Sequence, residues 1–396
     1  MNAKIQAVGS QASEFQQVCN SHEDAKIPIH RYSASVWSHG RHSDCLQESW
    51  KGLHNPQNKP GAVYQSPAFL DYLVETEGEN STEVLTVCDK SSSEILGVVP
   101  VRKSTIELPF AIGGRTITNL HLKGLTLLGS EPMVPQHPDA LDSLFNLISQ
   151  RYLDAQLVSM DAVSANSYLW KYIKSSEAIK NNFAVHVLHG FRDCHSVDLP
   201  NSTEKYYARL SKKRRYNFLR QEKLLQRHIG GGLELILIDT VSNIAELFRA
   251  MDCLSIATTY SSASNRAKLV AAARHGFLYC FVLKSQNKTI GLMLGTKSNK
   301  ILRIHRFFHD KSLEKYSPGT TLWQMVLRYL INESVFINVD MGYGTPAYRY
   351  HATNVIRQKG NVLLVRRSLA NRGRILAHSG FTSVVNFFKS GPANSG

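Results

Sequence analysis

A single plan written twice along the chain limits its fold more than any other feature. In the first half, "EVLTVCD" (83–89) alternates as a strand, "KSSS" turns, and "EILGVVPVR" (94–102) returns as a second strand. In the second half, "FLYCFVLK" (277–284), "SQNK" and "TIGLMLGTK" (289–297) repeat the hairpin, with Gly97 and Gly291 in equivalent places. Each hairpin precedes another apolar segment and then an amphipathic helix opened by proline, "HPDALDSLFNLISQRY" (137–152) and "SPGTTLWQMVLRYLINE" (317–333). Each helix leads into an apolar strand ending in aspartate, "AQLVSMD" (155–161) and "VFINVD" (335–340). Hairpin, strand, helix and strand recurring in one order predict an α/β chain with mixed sheets, built from two copies of one unit.

The join is expected near "DCHSVDLPNST" (193–203), which divides the chain into residues 29–195 and 196–396, the latter ending in a helical tail. Residues 1–28 are polar and without periodicity, and are read as a disordered leader. The first 30 residues lack the apolar core of a secretory signal, and no run of about 18 apolar residues occurs, so a soluble, cytoplasmic protein is expected.

A length of 396 residues suits two domains. Lys plus Arg outnumber Asp plus Glu by 46 to 31, a net charge of +15, so the partners to expect are anions: nucleic acid, anionic lipid, an acidic carrier protein or a phosphorylated cosubstrate. Six scattered cysteines without a C-x-x-C pair fit neither a disulfide framework nor a zinc ribbon. His22, His30, His39, His42 and His54 invite a metal reading, but nothing in their spacing enforces a ligand geometry, and no metal is expected. No P-loop, nucleophile elbow, kinase set or G-x-G-x-x-G fingerprint occurs.

The two copies differ where chemistry can sit. The second has "YSPGTT" (316–321) at its helix start and "DMGYGTPAYRY" (340–350) after its strand, where the first has "HPDAL" and "DAVSAN". With Ser317 as cap and Pro318 lacking an N–H, the free donors of the helix start would be Gly319, Thr320 and Thr321, and glycine leaves them unscreened for an anion such as a pyrophosphate. Two glycines and a "GTP" turn past Asp340 let backbone approach a ligand and aim Tyr348 and Arg349 at it. Asp340 is either a base or a structural acceptor for the glycine-loop N–H groups. His305 lies on a strand whose alternation places it with Ile301, Arg303 and Phe307, opposite Leu302, Ile304 and Arg306; it is either a base or a satisfied groove histidine. The most basic segment, 203–232, reads as one helix ending at glycines, with nine Lys/Arg against two Glu between Glu204 and Arg227. Its Lys212, Lys213, Arg214 and Arg215 make it the docking place for a large anionic partner.

These residues resemble the tandem-domain branch of the GNAT N-acetyltransferase superfamily, allied to FemAB peptidyltransferases and CelD-type proteins of polysaccharide biosynthesis. The likeness runs from "WKGL" (50–53) and "YQSPAFLDYL" (64–73) through "LGVVPV" (96–101) to "LSKKRRYNFLR" (210–220), "YSPGTTLWQMV" (316–326) and "VDMGYGTPAYRY" (339–350). The resemblance implies tandem GNAT folds, the first on the acceptor side and without catalysis of its own, the second holding the acyl donor. It also implies strands that splay on either side of the helix, with the donor's pantetheine between them and its pyrophosphate at the helix start. Tyr316, Ser317, Gly319, Thr320 and Thr321 become its contacts. The family's usual loop ending, Tyr-Lys, is here Tyr348-Arg349, and arginine keeps a charge for a phosphate or oxyanion but cannot act as base or nucleophile. The common Arg/Gln-x-x-Gly-x-Gly/Ala signature is absent.

The expected activity is transfer of an acyl group from acyl-CoA or an acyl carrier protein to an amine by direct attack. His305 or Asp340, through water, would serve as base, and Arg349 or a loop N–H as oxyanion donor. Two other readings are a FemAB-like aminoacyl transferase whose 203–228 helix grips charged tRNA, and a catalytically silent scaffold binding an anionic polymer or membrane.

Overall fold

The protein is described by a computed structural model covering residues 31–38, 43–55, 61–112, 115–256, 258–343 and 354–389. The first half runs β1 (Tyr32–Val36), α1 (Asp44–His54), α2 (Pro67–Glu77), β2 (Thr82–Asp89), β3 (Ile95–Ile112), β4 (Arg115–Leu127), α3 (Pro138–Arg151), β5 (Leu157–Ser164), α4 (Tyr168–Ser175), α5 (Glu177–Asn182) and β6 (Phe183–Asp198). The second half begins with α6 (Thr203–Ala208), α7 (Lys212–Ile229), β7 (Glu234–Ile238), α8 (Ile244–Cys253), α9 (Thr258–Ser261) and α10 (Ala263–Arg274). It continues with β8 (Cys280–Ser285), β9 (Lys288–Ser298), β10 (Ile301–His309), α11 (Pro318–Glu333), β11 (Asn338–Tyr343), β12 (Val355–Arg366) and α12 (Leu369–Lys389).

The repeat read from the sequence is present in three dimensions. In the first copy the β2–β3 hairpin pairs antiparallel, β3 pairs with β4, and α3 carries the chain to β5, parallel to β4. In the second copy β8, β9, β10, α11 and β11 follow the same path, with β11 parallel to β10. The helices form where the apolar residues fall at helical spacing: Leu322, Val326 and Leu330 of α11, like Ala140, Leu144 and Ile148 of α3, are fully buried against their sheets. Each of the buried Leu, Ile and Val side chains contributes roughly 1.5–3 kcal/mol by leaving water.

The two copies do not make two separate sheets. The twelve strands of the described residues join in one sheet in the order β1-β2-β3-β4-β5-β12-β6-β11-β10-β9-β8-β7. The middle pair exchanges partners: β6, which ends the first half, pairs with β11 of the second, and β12, from the end of the chain, lies between β5 and β6. The expected join at 193–203 falls partly inside β6. A further tie is the 3-10 helix Ala62–Gln65 and α2, whose Val63, Tyr64, Phe69 and Tyr72 pack with Leu292, Leu294 and Phe277 of the second half.

The basic segment expected as one helix over 203–232 is two, α6 and α7. Ser211 interrupts it by capping a new start, accepting from the Arg214 N–H at 3.3 Å, and α7 ends at Gly230 with φ 68°. No helix among the described residues is long and apolar enough to cross a membrane.

Candidate active site

Among the described residues, the strands β10 and β11 are parallel neighbours only through Ile301–Asn338, Leu302–Val339 and Arg303–Asp340. Beyond this vertex β10 stays with β9 while β11 stays with β6, so the strands part toward their carboxyl ends. A β-bulge marks the parting: His305 is the extra residue between Ile304 and Arg306. The bulge also reverses the alternation expected along this strand. Phe307 joins Leu302 and Ile304 on the α11 side, its ring 6.0 Å from that of Trp323, and not the side of Arg303.

The helix beside the gap starts differently from the sequence expectation. Ser317 does not cap α11; it takes the left-handed conformation, φ 54°, and its side chain accepts no capping bond. Its carbonyl instead receives the Thr320 and Thr321 N–H groups, both at 3.1 Å. Of the three donors expected to face a ligand, Gly319 N–H is the one that Ser317 leaves untouched. Thr321 is 2% exposed and turns into the packed face. Tyr316 does not line the cavity described below but stacks on His228 of α7 at 4.1 Å. The equivalent start in the first copy is closed: His137 Nδ1 accepts the Asp139 N–H at 3.2 Å, and Asp139 puts a carboxylate where the second copy has Gly319.

A cavity of about 770 Å³ lies between the first turns of α7, the end of β10 and the start of α11. Lys213, Arg214 and Asn217 of α7 face it, as do Phe307 and His309 of β10 and Ser317, Gly319 and Thr320 of α11. Phe218 and Trp323 add apolar wall. Two helix starts therefore line one cavity with the cationic Lys213 and Arg214 against a single carboxylate, Glu314, a field that on balance favours an anion. The sequence had the basic helix and the "SPGT" start as separate anion sites; folding joins them.

At the vertex the polar groups have distinct partners. Asp340 is 1% exposed; its Oδ1 accepts the Gly342 N–H at 3.0 Å and the Cys194 thiol at 3.6 Å, and its Oδ2 lies 3.7 Å from Arg303. This is the structural-acceptor arrangement. Burial and the Asp340 charge push Cys194 up to about 11, so it stays a thiol and can donate. Arg303 also lies over the Tyr64 ring, 5.7 Å from its centroid, which brings the first half of the chain to the vertex. His305 reaches solvent and pairs with Thr296 Oγ1 at 3.0 Å. Crowding that strips water from the ring and the nearby Arg303 charge push it down to about 4, so it is neutral at pH 7.

Tyr348 and Arg349 lie outside the described residues, as do His22, His30, His39 and His42. His54 is buried, with Nε2 2.8 Å from the Ala62 carbonyl. Among the described residues no group of three His, Cys, Asp or Glu side chains is placed to hold a metal ion. Sequence reading missed His309, Arg303, Tyr64 and Asp161. Of these, Asp161 alone had a signal, its equivalence to Asp340 in the repeat.

Residues 212–350, which contain α7, β8 to β10, α11 and β11, match the family described as an acetyltransferase (GNAT) domain. No curated protein sequence matches the chain. Among solved structures, FemX resembles it with a TM-score of 0.53 at 9% identity, over 81% of this chain and 96% of that one. A tandem GNAT protein from the clavulanic acid biosynthesis pathway resembles it with a TM-score of 0.50 at 10% identity, over 85% and 99%. A conserved protein of unknown function from Bacteroides thetaiotaomicron does so at 0.51 and 11%, over 81% and 96%. Identities this low make the likeness one of fold.

Proposed function

We propose that this chain, a tandem GNAT fold of the acyltransferase type with a GNAT domain at residues 212–350, moves an acyl group from a thioester of CoA or of an acyl carrier protein to an amine. One observation carries the reading: the parted strands β10 and β11 stand beside a cavity into which the starts of α7 and α11, Lys213 and Arg214 all point. A pyrophosphate held at Gly319 would leave an acyl-bearing arm to run along the free edge of β10 toward the vertex at Arg303. Residues 196–396 are then the donor side and 29–195 the acceptor side, and the reaction belongs in the cytoplasm with its thioester. Arg349 or Tyr348 would stabilise the oxyanion.

The test is calorimetry of acyl-CoA binding to Gly319→Glu. The nearest atom to a Cβ at this position is His309 Nδ1 at 3.5 Å, ordinary contact, so the variant should fold while its carboxylate occupies the anion site. Unchanged affinity in a folded variant would sink the reading.

A second reading, aminoacyl transfer from a charged tRNA, is favoured by the outward face of α7, where Lys212, Arg220, Lys223 and Arg227 are exposed and point away from the cavity lining. Phosphate contacts along that face would give binding that falls steeply between about 50 and 200 mM salt.

A further inference from the structure

The first copy of the repeat also brings a carboxylate to the vertex, and the strand is bent to do so. Between Met160 and Val163 of β5, two residues, Asp161 and Ala162, stand opposite the single residue Asn361 of β12. Ala162 takes φ 57°, a left-handed conformation that an alanine adopts at a cost of about 1–2 kcal/mol. Asn361 Oδ1 holds the bend, accepting the Ala162 N–H at 3.1 Å and the Tyr343 hydroxyl at 3.1 Å. One amide side chain thus fixes the end of β5 against the end of β11, on opposite sides of the two-copy junction. Strain of this kind persists where the surroundings impose a side-chain direction.

Asp161 differs from the equivalent carboxylate of the second copy. Asp340 is 1% exposed with its oxygens directed at Gly342, Cys194 and Arg303, whereas Asp161 reaches solvent. The groups whose charges act on or feel Asp161 come from three elements: Tyr64 of the 3-10 helix, Arg303 of β10 and Tyr343 of β11. Tyr343 in turn lies against Cys194 and Arg192 of β6, the latter over its ring at 4.4 Å. Arg303 acts on both aspartates. Desolvation raises Asp161 above the ordinary carboxylate range despite the Arg303 charge, which makes it the better proton acceptor.

Resting on the acyltransferase reading, we propose that Asp161 of the first copy is the acceptor-side base, receiving the ammonium of an alkylamine and not a hydroxyl. The ammonium gives one proton to the Asp161 carboxylate, and the freed lone pair forms the C–N bond to the thioester carbonyl. The C–S bond breaks, and the second amine proton leaves with the thiol. The first copy is then a working half of the catalytic centre, supplying the carboxylate that the second copy buries.

The experiment compares wild type, Asp161→Asn and Asp161→Glu, using acetyl-CoA and a longer acyl-CoA with a panel of alkylamines and matched alcohols. The expected result is acylation of amines only. Asp161→Asn should lose at least about 100-fold in kcat/KM and the acidic limb of the pH profile, with acyl-CoA affinity by calorimetry and Tm unchanged. Asp161→Glu should restore part of the activity. Wild-type kcat/KM and pH profile in Asp161→Asn, or alcohols acylated as well as amines, overturn the assignment alone. Wild-type protein that binds acyl-CoA yet acylates no amine overturns the functional reading and this assignment together.

Discussion

Asp161 and Asp340 hold equivalent places in the two copies, each at a β-bulge inside its strand, which runs three residues past the aspartate instead of ending there as the sequence suggested, yet Asp161 reaches solvent while Asp340 is 1% exposed. Duplication produced two carboxylates at one vertex, and packing gave them different surroundings. The buried one accepts bonds from its neighbours and holds Arg303. The open one has capacity left for a ligand.

The buried member should therefore matter to stability. Asp340→Ala leaves the Gly342 N–H and the Cys194 thiol without their shared acceptor and the Arg303 guanidinium without its nearby counter-charge, a loss of about 2–4 kcal/mol. Urea unfolding should show this for Asp340→Ala and no comparable loss for Asp161→Asn.

His305 predicts a pH effect with a definite sign. Its folded-state value of about 4 lies below the roughly 6.5 of an unfolded histidine, so the unfolded chain binds more protons between those values. Stability from this group is full above about pH 6.5 and is lost as pH falls toward 4. The urea midpoint of His305→Gln should fall less across that window than the wild type's; parallel curves would contradict it.

Lys213 faces the cavity, whereas Lys223 is exposed and not part of its lining. Lys213→Ala should weaken acyl-CoA binding about 5–10-fold, or roughly 1–1.4 kcal/mol, and lessen its salt dependence, while Lys223→Ala leaves it unchanged. Equal effects of both changes on tRNA binding, with none on acyl-CoA, would favour the second reading.

Two glycines near the site should respond oppositely to alanine. A Cβ on Gly295 would come within 2.7 Å of the Tyr279 carbonyl and 3.0 Å of the Arg303 carbonyl, both backbone atoms that cannot swing aside. Gly295→Ala should cost about 1–3 kcal/mol by forcing the strands at the bulge apart. Gly319→Ala, whose Cβ would meet only His309 Nδ1 at an ordinary contact of 3.5 Å, should leave stability within about 0.5 kcal/mol of wild type.

Local pattern made much of this legible. Alternation, turn residues and helical spacing of apolar side chains are properties of short windows, so the hairpins, both proline-opened helices and their order could be read directly, and Gly319 with them. The reading failed where one residue changes the pattern. Ser211 split a helix, His305 reversed the face of Phe307, and Ser317 turned left-handed and gave its carbonyl, not its side chain, to the helix start.

What the sequence by itself determined is the repeated unit and the half with the open helix start, because each depends on residues close in the chain. What only the tertiary structure decided is which residues meet at the candidate site. The exchange of β6 and β12, the meeting of α7 with α11, and the approach of Tyr64 and Asp161 to Arg303 join segments far apart in sequence. Such contacts are selected by the joint burial of faces and pairing of strand edges, which no short stretch of sequence encodes.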